Sequence, residues 1–302
     1  MQQMNWNDCR TFLAIARAGS LTTAARTLRV DATTIGRRLR RLESALGATL
    51  FEQTREGQTL TEAGERLLVR VEAMEHALSG IDEAFEQGGG LSGTLRISVS
   101  EGFGSAFLAP RIASFAAAHP RLTLDLVASN GFLSPSRREA DIAVMLSRPQ
   151  AGPVVARKLS DYALGLYASR RYLAENGVPA SPADLLGGHR LVGYVPDMLY
   201  APELRYLDEM RPGLAATLRS PSIVAQFRCV ASGAGIGVLP CFLAESEPGL
   251  VAVMPRRRII RNFWLVTHRD THRLARVRAG LDWLTSTVEA DRAVLMPPQA
   301  SA

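Results

Sequence analysis

The chain has 302 residues, of which 47% are hydrophobic, enough to fill more than one core. Nowhere does a run of about 18 apolar residues occur, and the opening residues lack a basic stretch followed by an apolar one, so neither a membrane span nor a signal peptide is expected and the cytoplasm is the expected location. Cys9, Cys229 and Cys241 are few and widely spaced, which fits a reducing compartment better than a disulfide framework. A redox switch between Cys229 and Cys241 stays open beside the commoner role of a small buried hydrophobe. The net charge of +6 is modest but unevenly placed. Arg26, Arg29, Arg37, Arg38, Arg40 and Arg41 face the single acid Asp31 over 26–41, whereas acids outnumber arginines over 61–90. One local surface therefore suits a polyanion, although a charge run alone is equally a solvated face.

Residues 1–60 read as short helices separated by turn signals. Trp6, Phe12, Leu13 and Ile15 give the first helix an apolar side; Gly19 ends it, and Ser20 offers a cap to a second over Leu21–Leu28. Asp31 caps a third helix with Ile35, Leu39 and Leu42 on one face and Thr33, Thr34, Arg37, Arg38 and Arg41 on the other. Gly47 breaks that helix, Leu50 and Phe51 continue the core, and the segment around Gly57 reads as a turn between two short extended pieces. Two helices across a tight turn, the second basic outward, is the arrangement that enters a major groove about 12 Å wide.

A long helix is expected from Thr61 to about Gln87, with Leu67, Val71, Met74, Leu78, Ile81 and Phe85 spaced alternately by four and three. Such a stripe pairs with a partner helix or fills an intramolecular groove, and dimerisation is the favoured reading. Gly88-Gly89-Gly90 then supplies a joint. From about 91 to 290, strand and helix patterns alternate: strands at Leu95–Val99, Leu122–Leu126, Asp141–Leu146, Ala163–Tyr167, Gly235–Pro240 and Phe263–Thr267, with helices around Phe107–Phe115, Ser169–Glu175, Ser222–Ser232 and Leu274–Leu284. This α/β alternation argues for mostly parallel sheets flanked by helices. Residues 291–302 are expected to form a flexible tail.

These motifs resemble the LysR-type transcriptional regulators. The likeness is carried by Phe12-Leu-Ala-Ile-Ala-Arg-Ala-Gly-Ser20, Ala24-Ala25, Leu28, Arg37, Leu39, Leu42-Glu43, Leu46-Gly47, Leu50-Phe51, Thr59, Thr61 and Gly64, and more softly by Asp141-Ile-Ala-Val and Gly233–Pro240. The resemblance implies a winged helix-turn-helix over 1–60, a linker helix and hinge over 61–90 that pairs antiparallel in a dimer, and an effector domain over 91–290 resembling type 2 periplasmic binding proteins. It also implies a homodimer or dimer of dimers on a partly palindromic promoter. The chain would cross between subdomains near Leu159–Leu164 and Ile260–Val266, so that one subdomain combines about 91–162 with 265–290 and the other spans about 163–264. Two departures stand out: Asp31-Ala32 and Gly36 replace a common serine, glutamine and serine, and Gln53 replaces a common arginine. Ala32 lacks the amide that bonds adenine bidentately, while its methyl suits thymine.

The residues expected to meet DNA are Ser20, Thr22, Thr33, Thr34, Arg37, Arg38, Arg41 and Arg55, with Thr33, Thr34 and Arg37 at base edges, Arg38 or Arg41 at the backbone, Ser20 and Thr22 at phosphates, and Arg55 along the minor groove or a phosphate. Parallel sheets bind ligands beyond the carboxyl ends of their strands. That rule selects Ser100, Phe103, Ser147, Tyr194, Val195, Ser220, Ser222 and Thr267 for a small carboxylate or polar aromatic effector, each serine being equally readable as a helix cap. No HExxH, GxSxG, CxxC or P-loop pattern is present, and His268 and His272, four apart, do not form a convincing metal site, so no metal, cofactor or catalytic residue is expected. The other readings are a ligand-independent or redox-responsive regulator and, further off, an enzyme or solute-binding protein of the same α/β fold.

Overall fold

The computed structural model describes residues 4–54, 57–85, 90–137 and 139–298. It divides into two compact units, Met1–Gly88 and Gly89–Ala302. The first contains α1 (Trp6–Ala18), α2 (Leu21–Leu28), α3 (Ala32–Leu46), an antiparallel hairpin of β1 (Phe51–Thr54) and β2 (Gly57–Leu60), and α4 (Glu62–Phe85). A side chain satisfies a free amide at the start of each of the first three helices: Asn7 N donates to Asn5 Oδ1 at 2.9 Å, Thr23 N to Ser20 Oγ at 3.4 Å and Thr34 N to Asp31 Oδ1 at 2.8 Å. Gly19 and Gly47 end α1 and α3 with φ of 63° and 64°, a left-handed backbone that side chains bearing a Cβ resist.

Phe12, Leu13 and Ile15 of α1 pack with Ile35, Leu39 and Leu42 of α3, and with Leu50 and Phe51, in one buried cluster. Removing a side chain such as Ile35 from this core would cost about 2–5 kcal/mol. The linker helix joins the same core. Val71 is fully buried in it and Leu67 packs against it, so these two positions of the expected dimerisation stripe serve their own chain and are withdrawn from it. Their surface is already spent on the core to which α1 contributes, which a heptad-like pattern alone does not reveal.

The second unit is built on one eight-stranded sheet. Its strands are β3 (Gly93–Ser100), β4 (Leu122–Ser129), β5 (Ile142–Met145), β6 (Val154–Ser169), β7 (Leu191–Gly193), β8 (Leu218–Arg219), β9 (Ile236–Pro240) and β10 (Leu250–His268). Their order is β4-β3-β5-β10-β6-β9-β7-β8. Strands at either end pair in parallel, whereas β10 runs antiparallel to β5 and β6, and β6 antiparallel to β9. The sheet is thus mixed rather than mostly parallel. The reason lies in β6 and β10: the short strands expected at Ala163–Tyr167 and Phe263–Thr267 are pieces of two long strands that pair with each other across the whole domain. Residues 264–267 of β10 pair with β5, while residues 164–167 of β6 pair with β9, so the chain passes from one half of the sheet to the other along these strands.

Helices α5 (Ile112–Ala118), α6 (Arg170–Asn176), α7 (Leu185–Gly188), α8 (Tyr206–Met210), α9 (Ile223–Ala231), α10 (Cys241–Ala244), α11 (Ala275–Ala290) and α12 (Arg292–Leu295) complete the unit. The helix expected around Phe107 is irregular: a wide π turn over Phe103–Leu108 and a 3-10 turn over Ala109–Arg111 precede α5. Pro110 has no N–H to extend a regular ladder there. The tail also departs from expectation, because α12 is helical, Leu295 is fully buried in the core and Arg258 Nη1 donates to Pro297 O at 2.5 Å. Residues 299–302 lie outside the described residues.

Candidate functional site

Helix α3 buries Ile35, Leu39 and Leu42 and leaves Ala32, Thr33, Arg37, Arg40 and Arg41 exposed, with Thr34 and Arg38 half-buried. The spacing by four and three places Thr33, Arg37 and Arg40 on one outward stripe. At its start, Thr33 Oγ1 donates to Asp31 Oδ1 and Thr34 Oγ1 donates to Asp31 Oδ2 at 2.8 Å. With the Thr34 amide, these hydroxyls hold the Asp31 carboxyl well below the usual carboxylate range. Both threonine protons are therefore committed to Asp31, which leaves their methyls and oxygen lone pairs to meet a base.

The arginines differ in what they hold. Arg41 forks onto the buried Asp8 of α1, with Nε 2.6 Å from Oδ2 and Nη2 on Oδ1, so it straps α3 to α1 as well as facing outward. Arg37 and Arg38 make no ion pair or side-chain hydrogen bond among the described residues. Arg40, which sequence reasoning left out of the DNA set, is exposed and donates only to Gly36 O, at 3.3 Å. Ser20 Oγ is occupied as the α2 cap, Thr22 is exposed, and Arg55 lies outside the described residues. On α4, Met74 is half-buried and Leu78 is exposed, while the side chains of Ile81 and Phe85 lie outside the described ones.

In the second unit, β3 ends at Ser100 and the chain turns helical at Glu101. Facing it, Ser222 caps α9: its Oγ accepts from Ala225 N at 3.0 Å and donates to Glu101 Oε1 at 2.8 Å. Glu101 Oε2 lies 3.5 Å from the Val224 amide. The protein's own carboxylate thus sits where a helix start would otherwise attract an acidic ligand. Beneath it is a cluster of rings. Tyr162 stacks on Phe263 at 4.1 Å between centroids, and Phe103 lies 4.3 Å from Phe263. The remaining space, also lined by Tyr194, Tyr200 and Tyr206, is about 20 Å³, room for roughly one water. Burial, reinforced by the Glu101 charge, pushes the Tyr200 hydroxyl up to about 12 and Tyr194 well above its usual value. These hydroxyls stay protonated and able to donate at neutral pH.

Of the expected effector residues, Ser100, Phe103 and Tyr194 line this space; Ser222 does not, its Oγ donating instead to Glu101, which stands between the lining residues Ser100 and Gly102 in the chain. Ser220 supports the cap, its Oγ accepting from Ser222 N at 3.2 Å, while Val195 opens the 3-10 turn Pro196–Met198 and is not part of the lining. Ser147 is half-buried beside the lining residue Leu146 and does not itself line the space. Thr267 is misplaced by the sequence. It pairs with Ile142, whereas Trp264 pairs with Met145 at the strand end nearest Leu146, because β10 runs antiparallel to β5. Thr267 instead exchanges a hydrogen bond with His272 Nδ1 at 2.9 Å. Sequence reasoning missed Glu101, Tyr162, Tyr206 and Phe263; Tyr194, Tyr200 and Tyr206, spaced by six, were the available signal.

All three cysteines are free, and burial raises the thiol pKa of Cys9 and Cys241, so neither is ionised at neutral pH. Among the described residues no helix is long and apolar enough to cross a membrane.

Residues 6–65 match the model of the bacterial regulatory helix-turn-helix proteins of the lysR family, and residues 88–289 match that of the LysR substrate binding domain. The chain belongs to the LysR family of transcriptional regulators. It is 33% identical over 267 residues to the Mau operon transcriptional activator of Paracoccus denitrificans, covering 87% of this chain and 89% of that one. Among solved structures it resembles CrgA, a LysR-type transcriptional regulator from Neisseria meningitidis, at 25% identity and a TM-score of 0.58 over 94% of this chain and 99% of CrgA. It shares its fold with full-length OxyR from Pseudomonas aeruginosa, at 19% identity and a TM-score of 0.71 over 95% and 98% of the two chains. This LysR-type regulator therefore joins a DNA-binding helix-turn-helix to an effector-binding domain, in a family whose members bind promoter DNA and small-molecule effectors and form oligomers. Its relatives are regulators rather than enzymes.

Proposed function

We propose that this regulator reads promoter DNA with the outward stripe of α3 and that a small polar aromatic effector acting in the ring-lined cleft changes that reading. The observation that carries the first part is the exposed Arg37, which forms no ion pair among the described residues and lies one turn from Thr33 on a helix whose opposite face is core. An arginine fork matches guanine O6 and N7, while the Thr33 and Thr34 methyls and Ala32 suit a thymine methyl. Arg38, Arg40, Ser20 and Thr22 then serve the phosphates, with Arg41 contributing charge from its place on Asp8. Arg55, which follows Thr54 in the sequence, is assigned to the minor groove or a phosphate.

Effector control follows from the bridge between Glu101 and Ser222, which joins the segment after β3 to the start of α9. A ligand larger than one water enters only if the rings beneath that bridge move, so it favours a different closure of the cleft by the difference of its affinities for the two states. Of the two ligand classes suggested by the sequence, a polar aromatic fits the tyrosine hydroxyls and ring walls. A carboxylate would meet Glu101 instead. Ser100, Phe103, Tyr194 and Ser222 are the residues assigned to that ligand.

The regulator acts in the cytoplasm as a homodimer or dimer of dimers paired through α4, where Met74 is half-buried and Leu78 exposed, and Ile81 and Phe85 continue the same stripe in the sequence. A mobility-shift titration with promoter fragments, run with and without phenolic ligands, tests the proposal. Ligand-dependent change in a sequence-selective complex is expected; a complex of equal affinity on any DNA would refute it.

A further inference from the structure

Beside the cleft, and separate from it, lies a larger cavity of about 210 Å³ in the segment that runs from Val192 to Val238. For scale, an engineered apolar cavity of about 150 Å³ holds benzene. Leu199, Leu207, Leu214 and Val238 give it an apolar body. Its polar groups are few and unevenly charged: Arg205 and Arg219 against Asp208, with Gln226 below.

We infer that this cavity is a second ligand site, shaped for a compact aromatic carboxylate whose ring fills the apolar body and whose acid group meets the two arginines. Three features support this. Arg205 and Arg219 are both exposed at the rim and form no ion pair among the described residues. Arg219 Nε donates to Ala216 O at 2.7 Å, which fixes the guanidinium plane and leaves its terminal nitrogens for a carboxylate. Gln226 is 1% exposed, and its Nε2 donates to Ser220 O at 2.8 Å, so the cavity holds a fixed, buried amide as well as apolar walls.

The site is positioned to act on the cleft. Tyr194, Leu204 and Tyr206 line both spaces and form the wall between them. Gln226 also sits one helical turn beyond Ser222, whose carbonyl accepts from Gln226 N at 3.0 Å. An acid excluded from the cleft by Glu101 thereby gains a neighbouring place from which it presses on the same tyrosines.

The test uses the full-length protein with benzoate as probe and benzyl alcohol as its uncharged counterpart, both followed by calorimetric titration. Benzoate is expected to bind saturably. The double variant Arg205→Gln with Arg219→Gln, both at exposed positions, should weaken benzoate by about tenfold or more and leave benzyl alcohol unchanged. Leu207→Trp, which fills the apolar body, should abolish binding of both. If Leu207→Trp does not fold, the arginine pair still decides. Absence of saturable benzoate binding, or equal benzoate affinity in wild type and the double variant, overturns the inference. Cleft variants are not involved, so failure here is distinct from failure of the effector site proposed above.

Discussion

Replacing Gly64 by alanine should destabilise the DNA-binding unit, against the usual gain of such a change in a helix. In an exposed helix interior, glycine to alanine gains about 1 kcal/mol. Gly64, however, lies in the first turn of α4, pressed onto the chain before the wing. A Cβ there would fall far inside contact distance of the Leu50 carbonyl oxygen and 2.9 Å from Leu60 Cδ2. The leucine methyl can turn away. The carbonyl cannot, because it accepts from Thr61 N at 3.1 Å, while Thr61 Oγ1 donates to Thr49 O at 2.7 Å and accepts from Gly64 N at 3.1 Å. Forcing this backbone apart falls at the upper end of overpacking costs, about 3 kcal/mol, so the net loss is about 2 kcal/mol. Hydrogen exchange of the core amides of α1 and α3 in the full-length protein reads this directly. Unchanged or slower exchange in Gly64→Ala would refute the close approach of α4 to Leu50.

Arg37→Ala should cost roughly 1–3 kcal/mol of discrimination at one base pair, whereas Arg38→Ala should weaken all DNA evenly and lower the salt slope by about one; titrations at several salt concentrations separate the two. The Asp31 carboxyl is depressed in the folded protein, so its stabilisation is fully present above the unfolded value near pH 4 and is lost as pH falls through the folded one. Asp31→Asn, which keeps an acceptor without the charge, should flatten this acid dependence in unfolding curves, and an equally steep dependence would count against the cap. Alkylation of the native protein at neutral pH should reach the half-buried Cys229 before the buried Cys9 and Cys241, as mapped by peptide mass; equal rates at Cys241 and Cys229 would revive a redox reading.

The helix-turn-helix was legible because its signals are local. Gly19, Asp31 and Gly47 mark helix ends through backbone conformation and capping, and Ile35, Leu39 and Leu42 declare the inward face of α3. The stripe on α4 was legible as apolar but not as to its occupant, since Val71 meets its own core and Leu78 does not. In the second unit, element existence could be read while strand direction and length could not. Pro255 and the run Arg256-Arg257-Arg258 interrupt the apolar pattern of β10, and the pairing shifts register between Val253 and Arg258, with Met254 at φ 51°. This concealed one long strand and misplaced Thr267. Glu101 was invisible as a cleft group because its partner Ser222 is 121 residues away, and long-range pairing leaves no periodic trace.

The most direct test of the central claim is footprinting of genomic fragments selected by the purified full-length protein, at moderate salt and with Arg37→Ala alongside. A regulator that reads promoters through α3 should protect a two-fold-related site, lose that selectivity with Arg37→Ala, and alter its protection when a polar aromatic ligand saturates the cleft. Protection without sequence preference, or a wild-type footprint from Arg37→Ala, would contradict it.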